Sequence, residues 1–118
     1  MKSLGVLYEK DSNFSLALYY YEHFVELHPY DCEIFNSLGI VCDEIEEKQR
    51  AITYYTKAIE IKPDYFAPLL NLGESYQSLD NFSEAKKYYT RAYQVKQEAN
   101  ICYGLAICCR ELGYIDQV

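Results

Sequence analysis

The sequence predicts an all-α protein, an α-solenoid of antiparallel helix pairs stacked in layers. Three observations carry this. Apolar residues recur at three- and four-residue spacing along the whole chain, which is the helical period. A set of residues also repeats every 34 positions: Leu4, Leu38 and Leu72; Gly5, Gly39 and Gly73; Ala17, Ala51 and Ala85; Tyr21, Tyr55 and Tyr89. A period of that size marks a two-helix unit that buries its apolar face only against its neighbours. Finally, no segment of any length alternates apolar and polar residues as a strand would.

Turn chemistry then divides the chain into seven helices. The first runs to about Lys10, where Asp11-Ser12-Asn13 ends it. The second runs from Phe14 to about Leu27 and stops before Pro29, which cannot continue a helix. Asp31 is the expected N-cap of the third, which reaches about Ile45. The fourth spans about Lys48 to Ile61, closed by Lys62-Pro63-Asp64. Asp64 is the expected N-cap of the fifth, placing Pro68 in the first turn, where a missing N–H costs little. That helix ends near Leu79, and Asn81-Phe82-Ser83-Glu84 reads as a capping-box variant opening the sixth, which continues to about Lys96. The seventh covers about Ala99 to Leu112, with Gly113 as its stop.

The recurring residues have a steric reading. Small Gly and Ala fall where two antiparallel helices cross closely, and the leucines beside the glycines fill the interior of each pair. Tyr8 and Tyr76, with Cys42 between them in register, face the same seam. Tyr21, Tyr55 and Tyr89 follow the alanines by four residues, so both sets share one helix face, with the hydroxyls expected at the rim.

On these residues the chain resembles the tetratricopeptide repeat (TPR) family. The match rests on the Leu-Gly pairs 4–5, 38–39 and 72–73, on Tyr8 and Tyr76, and on the alanines 17, 51, 85, 58 and 92. Tyr21, Tyr55, Tyr89, Pro29 and Pro63 complete it. The resemblance implies about three and a half units in a right-handed superhelix, one array over residues 1–118 with units 1–31, 32–65, 66–98 and 99–118. Phe24 departs from the pattern where Ala58 and Ala92 stand, and Gln97 replaces a third proline. The fourth unit aligns only with a step of 33, which sets Leu105-Ala106 against Leu72-Gly73 and Ile115 against Phe82. Both ends fall inside a unit, as in a segment excised from a longer array.

Composition narrows the function. A net charge of −7 and a pI near 4.7 argue against nucleic acid and anionic membrane as partners. No apolar run approaches the ~20 residues that cross a bilayer, and no signal peptide is visible. Cys32, Cys42, Cys102, Cys108 and Cys109 show no metal-ligand spacing and read as reduced thiols in a cytoplasmic setting. His23 and His28 lie five apart with no cysteine pair near them, and no phosphate loop, nucleophile elbow or metalloprotease motif occurs. Neither catalytic residues, nor a metal site, nor a cofactor is expected.

What remains is a surface. In the family the first helices of successive units line a concave groove that accepts a peptide or helix. By register the lining here is Lys2, Val6 and Glu9, then Asn36, Ile40 and Asp43, then Leu70, Glu74 and Gln77, then Tyr103, Ile107 and Arg110. The apolar strip flanked by carboxylates suits a partner segment with apolar anchors and some Lys or Arg. The clamp that holds acidic chaperone tails in some relatives would fall at Lys2, Val6, Ser37, Ala67 and Asn71; only Lys2 matches, so that ligand is not expected. The resulting expectation is a non-catalytic protein–protein interaction scaffold. Two alternatives stand beside it: a structural segment that self-associates through its incomplete C-terminal end near Cys102, Cys109 and Val118, or a regulatory or targeting appendage of a larger enzyme.

Overall fold

A computed structural model describes residues 2–11 and 13–113; the side chains of Lys2 and Ser3 lie outside that description. The described residues form seven helices and no strand: α1 (Lys2–Lys10), α2 (Phe14–Leu27), α3 (Cys32–Glu44), α4 (Lys48–Ile61), α5 (Phe66–Ser78), α6 (Phe82–Val95) and α7 (Ala99–Glu111). Each agrees with its sequence-derived span to within a residue or two, because caps and turns, not propensity, set the boundaries. Two compact units divide at Pro63 and Asp64, the first holding α1–α4 and the second α5–α7.

Side-chain caps mark the start of two helices, α3 and α6. Asp31 Oδ1 accepts from the Glu33 and Ile34 amides at 3.1 and 3.3 Å, as its sequence position predicts. Asn81 Oδ1 accepts from the Glu84 amide at 3.4 Å. Asp64 does not cap α5: the helix begins one residue later than that role requires, Tyr65 stands at the N-cap position, and no side chain bonds there. With Pro68 in the first turn, the fixed ring geometry does part of the work a cap would do.

The stops of α3, α5 and α7 follow one device. Glu46 and Asp80 adopt positive φ angles of 63° and 60°, and Gly113 does so at 81°. At the first two, the following amide closes on a carbonyl five residues back: Glu47 N–H to Cys42 at 2.8 Å, Asn81 N–H to Tyr76 at 2.9 Å. This is the left-handed cap that turns the chain sharply into the next helix. An acidic cluster around residues 43–47 reads in sequence as a solvated corner, but Glu46 also carries backbone strain.

In the N-terminal unit α1 packs on α2, α2 on α3 and α3 on α4; in the C-terminal unit α6 packs between α5 and α7. The core holds Ala17, Tyr21, Leu38, Val41, Ala51, Tyr55 and Ala58 in the first, and Leu69, Leu72, Ala85, Tyr89, Ala92 and Ile101 in the second. Leu38 and Leu72 are fully buried, whereas Leu4, in register with them, is 41% exposed. The expectation that all three leucines fill a pair interior therefore holds for two, since among the described residues no helix precedes α1.

The glycines serve a purpose other than backbone approach. A Cβ at Gly5 would lie 2.5 Å from Cε1 of Tyr21, and one at Gly73 would lie 2.7 Å from Cδ1 of Tyr89; Gly39 faces the Tyr55 ring still more closely. Each glycine is the seat of the tyrosine ring from the second helix of its own pair.

Candidate functional site

The groove candidates of the N-terminal unit lie on α1 and α3. Val6 is exposed, Glu9, Ile40 and Asp43 are half-buried, and Asn36 is buried. Lys2 has a side chain outside the described residues. The Tyr21 hydroxyl, from α2, donates to Glu9 Oε1 at 2.7 Å, and Ser37 of α3 also hydrogen-bonds that hydroxyl. One buried phenol thus ties the α1 candidate Glu9 to α3 through Ser37. Burial, then the neighbouring Glu9 carboxylate, holds the Tyr21 hydroxyl well above the ordinary tyrosine range.

The same bond recurs in the next pair. Tyr55 donates to Asp43 Oδ2 at 2.7 Å, and Lys48 Nζ approaches the other oxygen at 3.3 Å. Part of the carboxylate row that the sequence assigns to a ligand is therefore engaged within the fold.

In the C-terminal unit α5 and α7 flank a cleft of about 420 Å³, lined by Leu70, Glu74, Gln77, Asn100, Tyr103 and Gly104 among others. Four residues chosen by register, Leu70, Glu74, Gln77 and Tyr103, meet around it. Tyr103 is 71% exposed, the large apolar side chain that the cleft offers to a partner. At the floor, Tyr89 donates to Gln77 Oε1 at 2.6 Å. Burial, then the charge of Glu74, raises the Tyr89 hydroxyl. Ile107 and Arg110 lie farther along α7 and do not line the cleft; Arg110 pairs with Glu111 at 3.6 Å.

Sequence reasoning missed the three tyrosine acceptors. The signal was present, since Glu9, Asp43 and Gln77 each precede their tyrosine by 12 residues and recur at the repeat period. It also missed a contact between α2 and α4, where Glu22 Oε1 takes Arg50 Nη2 and the Tyr54 hydroxyl, the latter at 3.3 Å. Cys42 explains the Tyr54 arrangement. Tyr8 stacks on Tyr20 and Tyr76 on Tyr88, with centroids 5.6 and 5.7 Å apart, but the middle pair has a thiol at that register. Tyr54 packs beside Phe35 instead.

The site offers carboxylate and amide oxygens beside aliphatic and aromatic surface. Among the described residues no group of three or more His, Cys, Asp or Glu is placed to hold a metal ion, and no helix is long and apolar enough to cross a membrane.

Helix pairs closed by Gly–Tyr seats, with a cleft between first helices, define a helical-repeat fold of the kind that commonly mediates protein–protein interaction. The chain belongs to the tetratricopeptide repeat family, whose sequence profile matches residues 33–65 and 67–98, more than half of its length. No curated protein sequence matches it significantly. Among solved structures it is similar to the MamA protein, with a TM-score of 0.91 and 24% identity over 98% of this chain. The chain spans 64% of that MamA chain. It is also similar to the first TPR of Spaghetti (RPAP3) bound to HSP90 peptide SRMEEVD, with a TM-score of 0.90, 18% identity, and 95% and 90% of the two chains covered. The Arabidopsis OM64 TPR domain follows at 0.86, 19% identity, with 92% and 91% covered. Identities this low establish the α-solenoid fold and nothing finer.

Proposed function

We propose that the chain is a non-catalytic scaffold that binds a peptide or helical segment of a partner protein along its first-helix face. One observation carries this reading: the α5–α7 cleft sets an exposed Tyr103 and a half-buried Leu70 beside the Glu74 carboxylate. Apolar surface of that kind, flanked by acceptors, suits a segment with an aliphatic or aromatic anchor and a nearby Lys or Arg. The acidic overall charge favours the same partner and disfavours nucleic acid and anionic membrane. Val6, Ser37, Ala67 and Asn71 stand where a clamp for acidic tails carries Asn, Asn, Lys and Arg, so two of its three cations are missing and the peptide SRMEEVD is expected not to bind. A cytoplasmic setting belongs to the proposal and rests on the five unpaired thiols.

Peptide display selection on the immobilised chain tests this. Enriched sequences are expected to share an apolar anchor next to Lys or Arg. They are expected to lose at least about tenfold in affinity to Leu70→Asp and Tyr103→Asp variants whose circular dichroism is unchanged. Equal affinity for the variants removes the groove from the function.

A further inference from the structure

We propose a second interaction surface, on the outer face of α6, that takes an acidic helical segment of a partner protein. Lys86, Lys87 and Arg91 share one side of α6 with the hydroxyls of Ser83 and Thr90. With Leu112 they line a concavity of about 460 Å³, separate from the cleft that holds Leu70 and Tyr103.

The repeat does not require these cations. At the registers of Lys86, Lys87 and Arg91, α2 carries Leu18, Tyr19 and His23, and α4 carries Ile52, Thr53 and Lys57. Nor does solubility require them, since a chain with net charge −7 already repels its copies. In residues 64–118 the cations are Lys86, Lys87, Arg91, Lys96 and Arg110, so all but one belong to α6 or the residue that follows it. A localised basic stripe in an acidic chain is an electrostatic address.

Two of the cations are pre-positioned. Lys87 Nζ and the Arg91 guanidinium lie 5.3 and 5.6 Å from the centre of the Tyr88 ring, which is itself stacked on Tyr76 at an interplanar angle of 4°. A fixed ring beside both charged heads reduces the rotamer freedom they lose on binding. The stripe runs along the helix axis from Ser83 toward Gln94, with apolar Leu112 beside it. An amphipathic helix with Glu or Asp at four-residue spacing and an apolar residue between them matches that row.

The probe is a fluorescein-labelled helical peptide with Glu at i and i+4 and one central Leu, followed by fluorescence anisotropy. Wild-type chain is expected to bind it, and to bind more weakly as salt rises from about 0.05 to about 0.5 M. The triple variants Lys86→Gln/Lys87→Gln/Arg91→Gln and Lys86→Glu/Lys87→Glu/Arg91→Glu are expected to lose at least about tenfold. The neutral variant keeps the test sharp if charge reversal perturbs folding. Leu70→Asp is expected to bind this peptide as wild type does, which separates the α6 surface from the groove. Equal affinity for a Glu→Gln peptide, or for the neutral triple variant, overturns the proposal. So does sedimentation showing a wild-type dimer that the reversal dissociates, which makes a second copy the occupant. Deletion of residues 114–118 that tightens binding tenfold or more also overturns it, by making the chain's own tail the occupant.

Discussion

The hydroxyl of Tyr55 donates to the carboxylate of Asp43 at 2.7 Å while its ring occupies the space that a side chain at Gly39 would need. A single residue of α4 therefore closes its pair twice, by shape at the glycine and by hydrogen bond to the last turn of α3. Tyr21 with Gly5 and Glu9, and Tyr89 with Gly73 and Gln77, repeat the arrangement.

This arrangement reverses an ordinary helix rule. Gly→Ala inside a helix normally gains about 1 kcal/mol. Gly39→Ala is expected instead to cost about 1–3 kcal/mol through overpacking against Tyr55, read as a lower urea midpoint at constant slope. In a Tyr55→Leu background the cost is expected to shrink or vanish, as a double-mutant cycle would show. A raised midpoint for Gly39→Ala alone would count against the seat.

Removing the hydroxyls separates the acceptors. Tyr55→Phe is expected to cost about 1.5–3 kcal/mol, since its acceptor is a carboxyl group, and Tyr89→Phe about 0.5–1.5 kcal/mol, since its acceptor is an amide. Equilibrium unfolding of the two variants side by side checks the order.

The left-handed caps carry a correctable strain. Glu46→Gly and Asp80→Gly are each expected to stabilise by about 0.5–1 kcal/mol, because a Cβ costs more in that conformation than glycine loses in chain entropy. Calorimetry should show a midpoint higher by a few degrees; a lower one would mean the acidic side chains contribute more than the strain costs.

Helix starts are distinguishable too. Asp31→Ala is expected to cost about 1 kcal/mol, the usual loss for a capping side chain. Asp64→Ala, outside any cap bond, is expected to stay within about 0.5 kcal/mol of wild type by the same urea titration.

Alkaline pH is expected to weaken the fold. Burial pushes the Cys42 thiol up to about 11 from 9.0, outweighing the opposing charge of Arg50. Burial likewise raises Tyr21, Tyr54, Tyr76 and Tyr89 above 10.0. Native chain keeps these protons where unfolded chain has released them, so stability falls as pH rises from about 9. Urea midpoints are expected to hold steady up to about pH 8.5 and decline through pH 11. The decline is expected to be shallower in Cys42→Ala, where the buried Cys108 thiol, also raised from 9.0, still sets its onset, and a flat profile for wild type would contradict the assignment.

The architecture was legible in the sequence because repeats state the same packing rule several times. Leu38, Leu72, Ala51, Ala85 and the tyrosines are buried where their period puts them. Asp31 and Gly113 act as their positions predict because capping is local chemistry. Asp64 does not, because it lies a residue too early for the backbone geometry that follows. The period marks the glycines as room for a helix backbone, whereas the ring that needs the room lies 16 residues on, a distance no local pattern reports. Among groove candidates, register places Leu70, Glu74, Gln77 and Tyr103 around one cleft; the bonds of Glu9, Asp43 and Gln77 to tyrosine hydroxyls show only in a 12-residue offset that joins two helices and that no helix-face pattern picks out.

The tyrosine bonds make the chain its own optical probe. With fourteen tyrosines and no tryptophan, all intrinsic emission comes from phenols. Tyr21 and Tyr55 rest in the native state against carboxylates, which accept a proton from the excited ring and darken it. Unfolding separates those partners, so the protein is expected to brighten as it comes apart. Unfolding can then be followed without attaching a label, and Tyr21→Phe or Tyr55→Phe variants report how much of the brightening each bond contributes.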